Sequence, residues 1–138
     1  MKDWLYQDIT ADIISAYYKV YNSLKHRRAY SEENFAQALL LELARRQRSA
    51  KAQVAVQRRY EGQRIGHDFV DLVIDDKVIA EVKKVPAIKE VHLDQLRTYL
   101  LDGNWAVGLL LNFGGDEPEF RRLENRPQAE SSQKRDEP

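Results

Sequence analysis

The stretch "DFVDLVIDDKVIAEVK", Asp68 to Lys83, decides how the rest of the chain is read. Two runs of strand-forming residues, Phe69 to Ile74 and Val78 to Lys83, flank the tripeptide Asp75-Asp76-Lys77, which predicts an antiparallel hairpin. Each run is charged where a strand inside a small protein should be apolar: Asp71 in the first, Glu81 and Lys83 in the second. A three-residue loop pairs Ile74 with Val78, and therefore Asp71 with Glu81, their Cβ atoms roughly 5 Å apart on one face. Lys83, two residues on, projects from that face too. A two-residue loop would pair Asp71 with Ala80 and send Glu81 to the opposite face, so the register decides the chemistry.

Two carboxylates side by side in a sheet repel each other and are costly to desolvate. A hard divalent cation relieves both penalties, and Mg²⁺ or Mn²⁺ suits an oxygen site with only one or two carboxylates. The alternative is a surface ion pair of Asp71 with Lys83 or Lys84 near the strand end; the residues alone leave both open.

Around this hairpin, 138 residues with 43% hydrophobic content are enough for one packed core. The chain has no cysteine, which excludes disulfides, thiol nucleophiles and thiolate metal sites. The opening "MKDWLYQDIT" has no apolar run like a signal sequence, and no segment approaches the roughly 20 apolar residues of a membrane span, so a soluble cytoplasmic protein without membrane contact is expected. Basic and acidic residues balance at 22 each, but unevenly: up to position 64 the basic residues dominate, and beyond it the acidic ones. Arg45, Arg46, Arg48, Lys51, Arg58, Arg59 and Arg64 share one stretch with a single acid, Glu61. They are candidate phosphate contacts, or else an ordinary solvated edge.

The periodicities fill in the map. Apolar residues at Ile9, Ile13, Tyr17, Val20 and Leu24 predict a helix from Asp8. Ser31 is a fitting N-cap for a second helix to about Arg48, with Glu32 and Glu33 in its first turn. Gln53 to Tyr60 reads as a strand before the hairpin, Ile88 to Leu101 as a third helix closed by Gly103, and "WAVGLLLN" from Trp105 as a strand buried on both faces. On the third helix, His92, Gln95 and Tyr99 form a polar stripe beside Leu93, Leu96 and Leu100. The polar residues from about Arg121 onward predict a tail, giving one domain over 1–122 and a disordered 123–138.

Asp71, nine intervening residues and Glu81-Val82-Lys83 resemble the D…(D/E)XK signature of the PD-(D/E)XK nuclease superfamily. Gln95-Leu96-Arg97-Thr98-Tyr99 resembles the QxxxY motif of its RecB-type branch. The order "VDLVIDDKVIAEVK", "HLDQLRTYL", "VGLLLNFGG" is similar to the small GxxExxY family within it, over about Asp8 to Arg122. In the segment aligned with the namesake motif, "YSEENFA", Tyr30 stands for the glycine and Ala36 for the tyrosine, leaving Glu33 as the match.

The resemblance implies an α/β, restriction-endonuclease-like core: a four-stranded mixed sheet flanked by helices, with "WAVGLLLN" parallel to the strand of Glu81. It implies a metal-dependent nuclease acting on DNA, less readily RNA, with Mg²⁺ or Mn²⁺ held by Glu33, Asp71, Glu81 and the Val82 carbonyl. Lys83 would orient the attacking water, with Gln95 and Tyr99 positioning it. Besides DNA, a protein partner or a second copy of the chain is a possible associate, and the alternative function is a catalytically inactive nuclease fold that binds nucleic acid or protein.

Overall fold

The computed structural model describes residues 4–125. Three helices and five strands follow in the order α1 (Gln7–Leu24), α2 (Glu32–Arg45), β1 (Ala50–Tyr60), β2 (Gln63–Ile74), β3 (Val78–Lys83), α3 (Glu90–Gly103), β4 (Val107–Asn112) and β5 (Glu119–Glu124). The sheet runs β1-β2-β3-β4-β5. Only β3 and β4 are parallel, joined by the α3 crossover that a parallel pair requires.

A mixed sheet was expected, but with four strands. The fifth comes from Glu119 to Glu124, whose pairing with β4 runs from Asn112↔Glu119 to Val107↔Glu124. Arg121 to Glu124 are therefore strand, not the start of a tail. Their polarity misled because β5 is a half-exposed edge strand: its backbone is satisfied by β4, while most of its side chains remain partly in water. The rest of the expected tail, 126–138, lies outside the described residues.

Local chemistry explains most element ends. Ser31 Oγ accepts from the Asn34 amide and Asn34 Oδ1 from the Ser31 amide, a capping box that starts α2. Asp75 and Asp76 carry φ of 53° and 57°, a left-handed pair that aspartate tolerates better than most residues, and Lys77 N closes the turn onto Ile74 O at 3.0 Å. The α3 helix runs on through Gly103 to a left-handed Asn104. Gly103 is needed for space, since a Cβ there would fall 2.1 Å from the Trp105 ring.

The two faces of the sheet bury different material. Under α1 and α2 lie Ile13, Tyr17, Leu39, Leu43, Leu72, Ile74 and Leu109, fully buried. Under α3, a smaller cluster holds Val70, Val73, Ile79, Leu96, Leu100 and Leu110. Beyond that smaller cluster, on the same side, stand the polar residues of the hairpin. No described helix is long and apolar enough to cross a membrane.

Candidate active site

The hairpin takes the three-residue-loop register, with Leu72↔Ala80, Val73↔Ile79 and Ile74↔Val78. Regular pairing stops there, one step short of Asp71 and Glu81. From this point side chains take over the hydrogen bonds. The Asp71 amide donates to Glu81 Oε2 at 2.7 Å, and the Val82 amide donates to Asp71 Oδ2 at 2.8 Å. Each carboxylate thus satisfies a backbone donor of the opposite strand.

Strict alternation would stand Asp71 squarely on the Glu81 face, and here the structure departs from it. Val70 packs under α3 and Leu72 under α1 and α2, although they are two apart; in β1, Val54 and Ala50 divide in the same way. The strands change faces at Gln53 and Asp71, the positions missing between the pairs Ala52↔Leu72 and Val54↔Val70. Gln53 has a left-handed φ of 55°, costly for a residue with a side chain and concentrated at functional places. The Asp71 carboxylate consequently lies between β2 and β3, reaching the Val82 amide and accepting from Gln53 Nε2 at 3.3 Å.

Both carboxylates are costly to ionise. Glu81 is 3% exposed, and burial together with the Asp71 charge pushes its carboxyl up to about 8. Asp71 is also raised, by burial first, against the pull of the Val82 amide, Gln53 and Lys83. Such a pair fits a hard divalent cation, which supplies the missing positive charge and needs few protein ligands. Among the described residues no three His, Cys, Asp or Glu side chains form a metal-binding group. Val82, its amide turned toward β2, turns its carbonyl to that side as well.

Glu33 is exposed and shares with Asp71 an open cleft lined also by Glu32, Ala36, Gln37 and Gln53. Glu32, overlooked in the sequence, is the more engaged of the two. Its Oε2 accepts from the Lys84 amide at 2.8 Å, tying the start of α2 to the end of β3, and its charge raises the Asp71 carboxyl further.

On the α3 side, a directional chain of hydrogen bonds ends at the lysine. Lys83 Nζ donates to Gln95 Oε1 at 2.6 Å, Gln95 Nε2 to Tyr99 Oη at 3.0 Å, and Tyr99 Oη to Asp68 Oδ2 at 2.8 Å. Because Asp68 accepts the hydrogen bond of the tyrosine hydroxyl, the phenol oxygen is left to accept from the Gln95 amide, and the Gln95 carbonyl must face Lys83. Burial, the Asp68 bond and the nearby Glu81 keep Tyr99 well above the ordinary phenol range, so it remains a donor. Burial would raise Asp68, but the Phe69 amide, Tyr99 and Arg58 outweigh it and hold Asp68 low. Asp68 was legible only as the first letter of the quoted stretch; nothing in its spacing marked it. His92 belongs elsewhere, accepting from the Lys89 amide at the start of α3.

Of the seven basic candidates, Arg58 reaches this network through Asp68, and the others have partners elsewhere. Arg45 and Arg46 pair with Glu42, Arg48 with Asp12 and Asp75, and Lys51 with Asp76. Arg58 pairs with Asp68, Arg59 donates to Gly62 O, and Arg64 meets His67 Nδ1. Arg48 in particular, 20% exposed in its side chain, joins α1 to the β2–β3 turn. Five of the seven have thus become ion pairs in space, and Arg59 and Arg64 meet neutral partners.

No curated protein matches the chain. Among solved structures, the crystal structure of SSO0001 is similar over 82% of this chain and 65% of that one, at 17% identity and a TM-score of 0.48, so this chain spans less than two thirds of that protein's length. A family model of the PD-(D/E)XK nuclease superfamily matches residues 7–123, which take in the hairpin, the α3 stripe and every strand but the last residue of β5. With that match over most of its length, the chain belongs to the PD-(D/E)XK nuclease superfamily.

Proposed function

We propose that the protein is a metal-dependent nuclease that hydrolyses phosphodiester bonds in DNA, with Asp71, Glu81 and Lys83 at the reacting centre. The observation that carries this reading is the reciprocal bonding of Asp71 and Glu81 beside a lysine aimed by Gln95. Asp71 and Glu81 would hold Mg²⁺ or Mn²⁺, with the Val82 carbonyl on the same side and Glu33 or Glu32 across the cleft. A bound divalent cation supplies Lewis-acid charge for the developing phosphoryl oxyanion. Lys83 hydrogen-bonds the attacking water or the phosphoryl oxygen. Gln95, Tyr99 and Asp68 are positioning residues that keep Nζ pointed at that spot before substrate arrives. The bond between Gln95 and Tyr99 supports placement in the RecB-type branch, and the motif order supports the GxxExxY family.

Titration calorimetry of Mn²⁺ and Mg²⁺ into the wild type and Asp71→Ala tests the site. Binding to the wild type that is lost in the variant, together with cleavage of DNA, is expected. Metal binding that survives the substitution would remove the site as drawn. The second reading, a nuclease fold that binds nucleic acid or a protein partner without cleaving, draws on the absence of a third ligating side chain at the pair among the described residues. It predicts DNA or partner binding that is indifferent to both metals.

A further inference from the structure

Besides Arg59 and Arg64, which meet no carboxylate among the described residues, a denser group of cations without acidic partners lies away from the β1 region. The segment Lys25-His26-Arg27-Arg28, between α1 and α2, has no ion pair among the described residues. Two successive turns order it, Arg27 N to Leu24 O at 2.8 Å and Tyr30 N to Arg27 O at 3.0 Å. Lys84 fastens it to the sheet: its Nζ donates to Arg28 O at 2.6 Å and Tyr30 O at 2.7 Å. These four basic residues and Lys84 line one cavity of about 380 Å³ that contains a single acid, Asp116. Its floor is Phe35 and Phe113, stacked at 4.6 Å between ring centres and 4° between planes.

The cavity is also in the right place. Lys84 follows Lys83 on β3, and its amide is held by Glu32, which lines the cleft of Asp71. The same glutamate therefore lines the candidate metal cleft and holds the backbone of Lys84, which lines the cationic cavity. Lys83 turns its side chain to Gln95 on α3, whereas Lys84 turns to the α1–α2 loop. A strand lying across the end of β3 would meet the reacting centre on one side and the cationic cavity on the other.

We propose that this cavity takes a phosphate of the nucleic-acid strand adjoining the bond to be cut, with Arg27 and Arg28 as its main contacts. The proposal rests on the nuclease reading above. An apolar floor beneath the guanidinium groups strengthens a charged contact by excluding water from one side. Arg45, Arg46, Arg48 and Arg58, already paired with carboxylates, would have to give up those partners to do the same.

The test measures binding of a short labelled DNA, duplex and single-stranded, to the full chain in metal-free buffer over a range of salt, so that cleavage plays no part. The double substitution R27Q/R28Q should weaken binding roughly tenfold or more at low salt. It should also lower the log–log salt slope by roughly 0.7 to 0.9 for each contact removed. R45Q/K51Q, at exposed cations already paired with Glu42 and Asp76, should leave both nearly unchanged. Wild-type affinity and slope in R27Q/R28Q, or a loss confined to R45Q/K51Q, would overturn the assignment while leaving the nuclease reading standing. Absence of any DNA binding by the wild type in this metal-free buffer would overturn the assignment, while the metal-dependent nuclease reading is judged by the calorimetry and cleavage above. At matched ionic strength, inorganic phosphate or a mononucleotide that displaces the DNA at comparable concentrations would instead indicate a free-phosphate site and overturn the assignment to a strand.

Discussion

The two faces of the central strands are built from neighbouring residues of the same segments, yet they do different work. On the α1–α2 face, Leu72, Ile74, Val78, Ala80 and Val82 alternate inward onto a continuous apolar layer. On the α3 face, the packing of Val73 and Ile79 gives way within two residues to Glu81 and Lys83, held by hydrogen bonds to Asp71, Gln95, Tyr99 and Asp68. One face lowers the free energy of the fold. The other spends part of that stability on holding charge where water is scarce.

This contrast can be broken most forcefully from the apolar side. Leu39→Ala, at a position with 0% exposure on α2, should cost about 2–5 kcal/mol of stability, read in denaturant unfolding. The activity of the fraction still folded should be preserved. A selective loss of cleavage in that variant would mean that the two faces are not separable.

Next in size is the opposite change. Lys83→Ala should lower the rate of cleavage by about 10²–10³-fold, the range for removing one preorganised donor, while metal binding and the thermal midpoint stay close to wild type. Loss of metal binding would give Lys83 a structural role instead.

The smallest effect sharpens the comparison through pH. Glu81 is protonated in the fold up to about 8, whereas in the unfolded chain it ionises near the ordinary glutamate value. Between those two values the native state holds the extra proton, so stability falls as pH rises, with a slope approaching about 1.4 kcal/mol per pH unit. Glu81→Gln should flatten this dependence across the window. A divalent cation should release the proton and bind more tightly as pH climbs toward 8. An unchanged stability profile in Glu81→Gln would show that another group carries the slope.

Much of the fold was legible because its signals are local. Helical spacing from Ile9 to Leu24, the Ser31 cap and the apolar run through "GLLLN" each need only a few neighbouring residues to be read. The hairpin register followed from the loop length alone. The fifth strand was not legible, since Glu119 to Glu124 is a strand only by virtue of β4 beside it.

By itself, the sequence determined that Asp71, Glu81 and Lys83 would be neighbours and that Gln95 and Tyr99 would share a helix face, because hairpin and helix geometry convert spacing into position. The tertiary structure decided the rest. It turned the Asp71 carboxylate along the sheet at the change of faces, recruited Asp68 and Glu32, and drew Arg46, Arg48 and Arg58 into ion pairs while Lys25 to Arg28 have no ion pair among the described residues. The physical reason is that a charge's effect depends on which opposite charge or hydrogen-bond donor folding brings within a few ångströms, and those partners are distant in sequence.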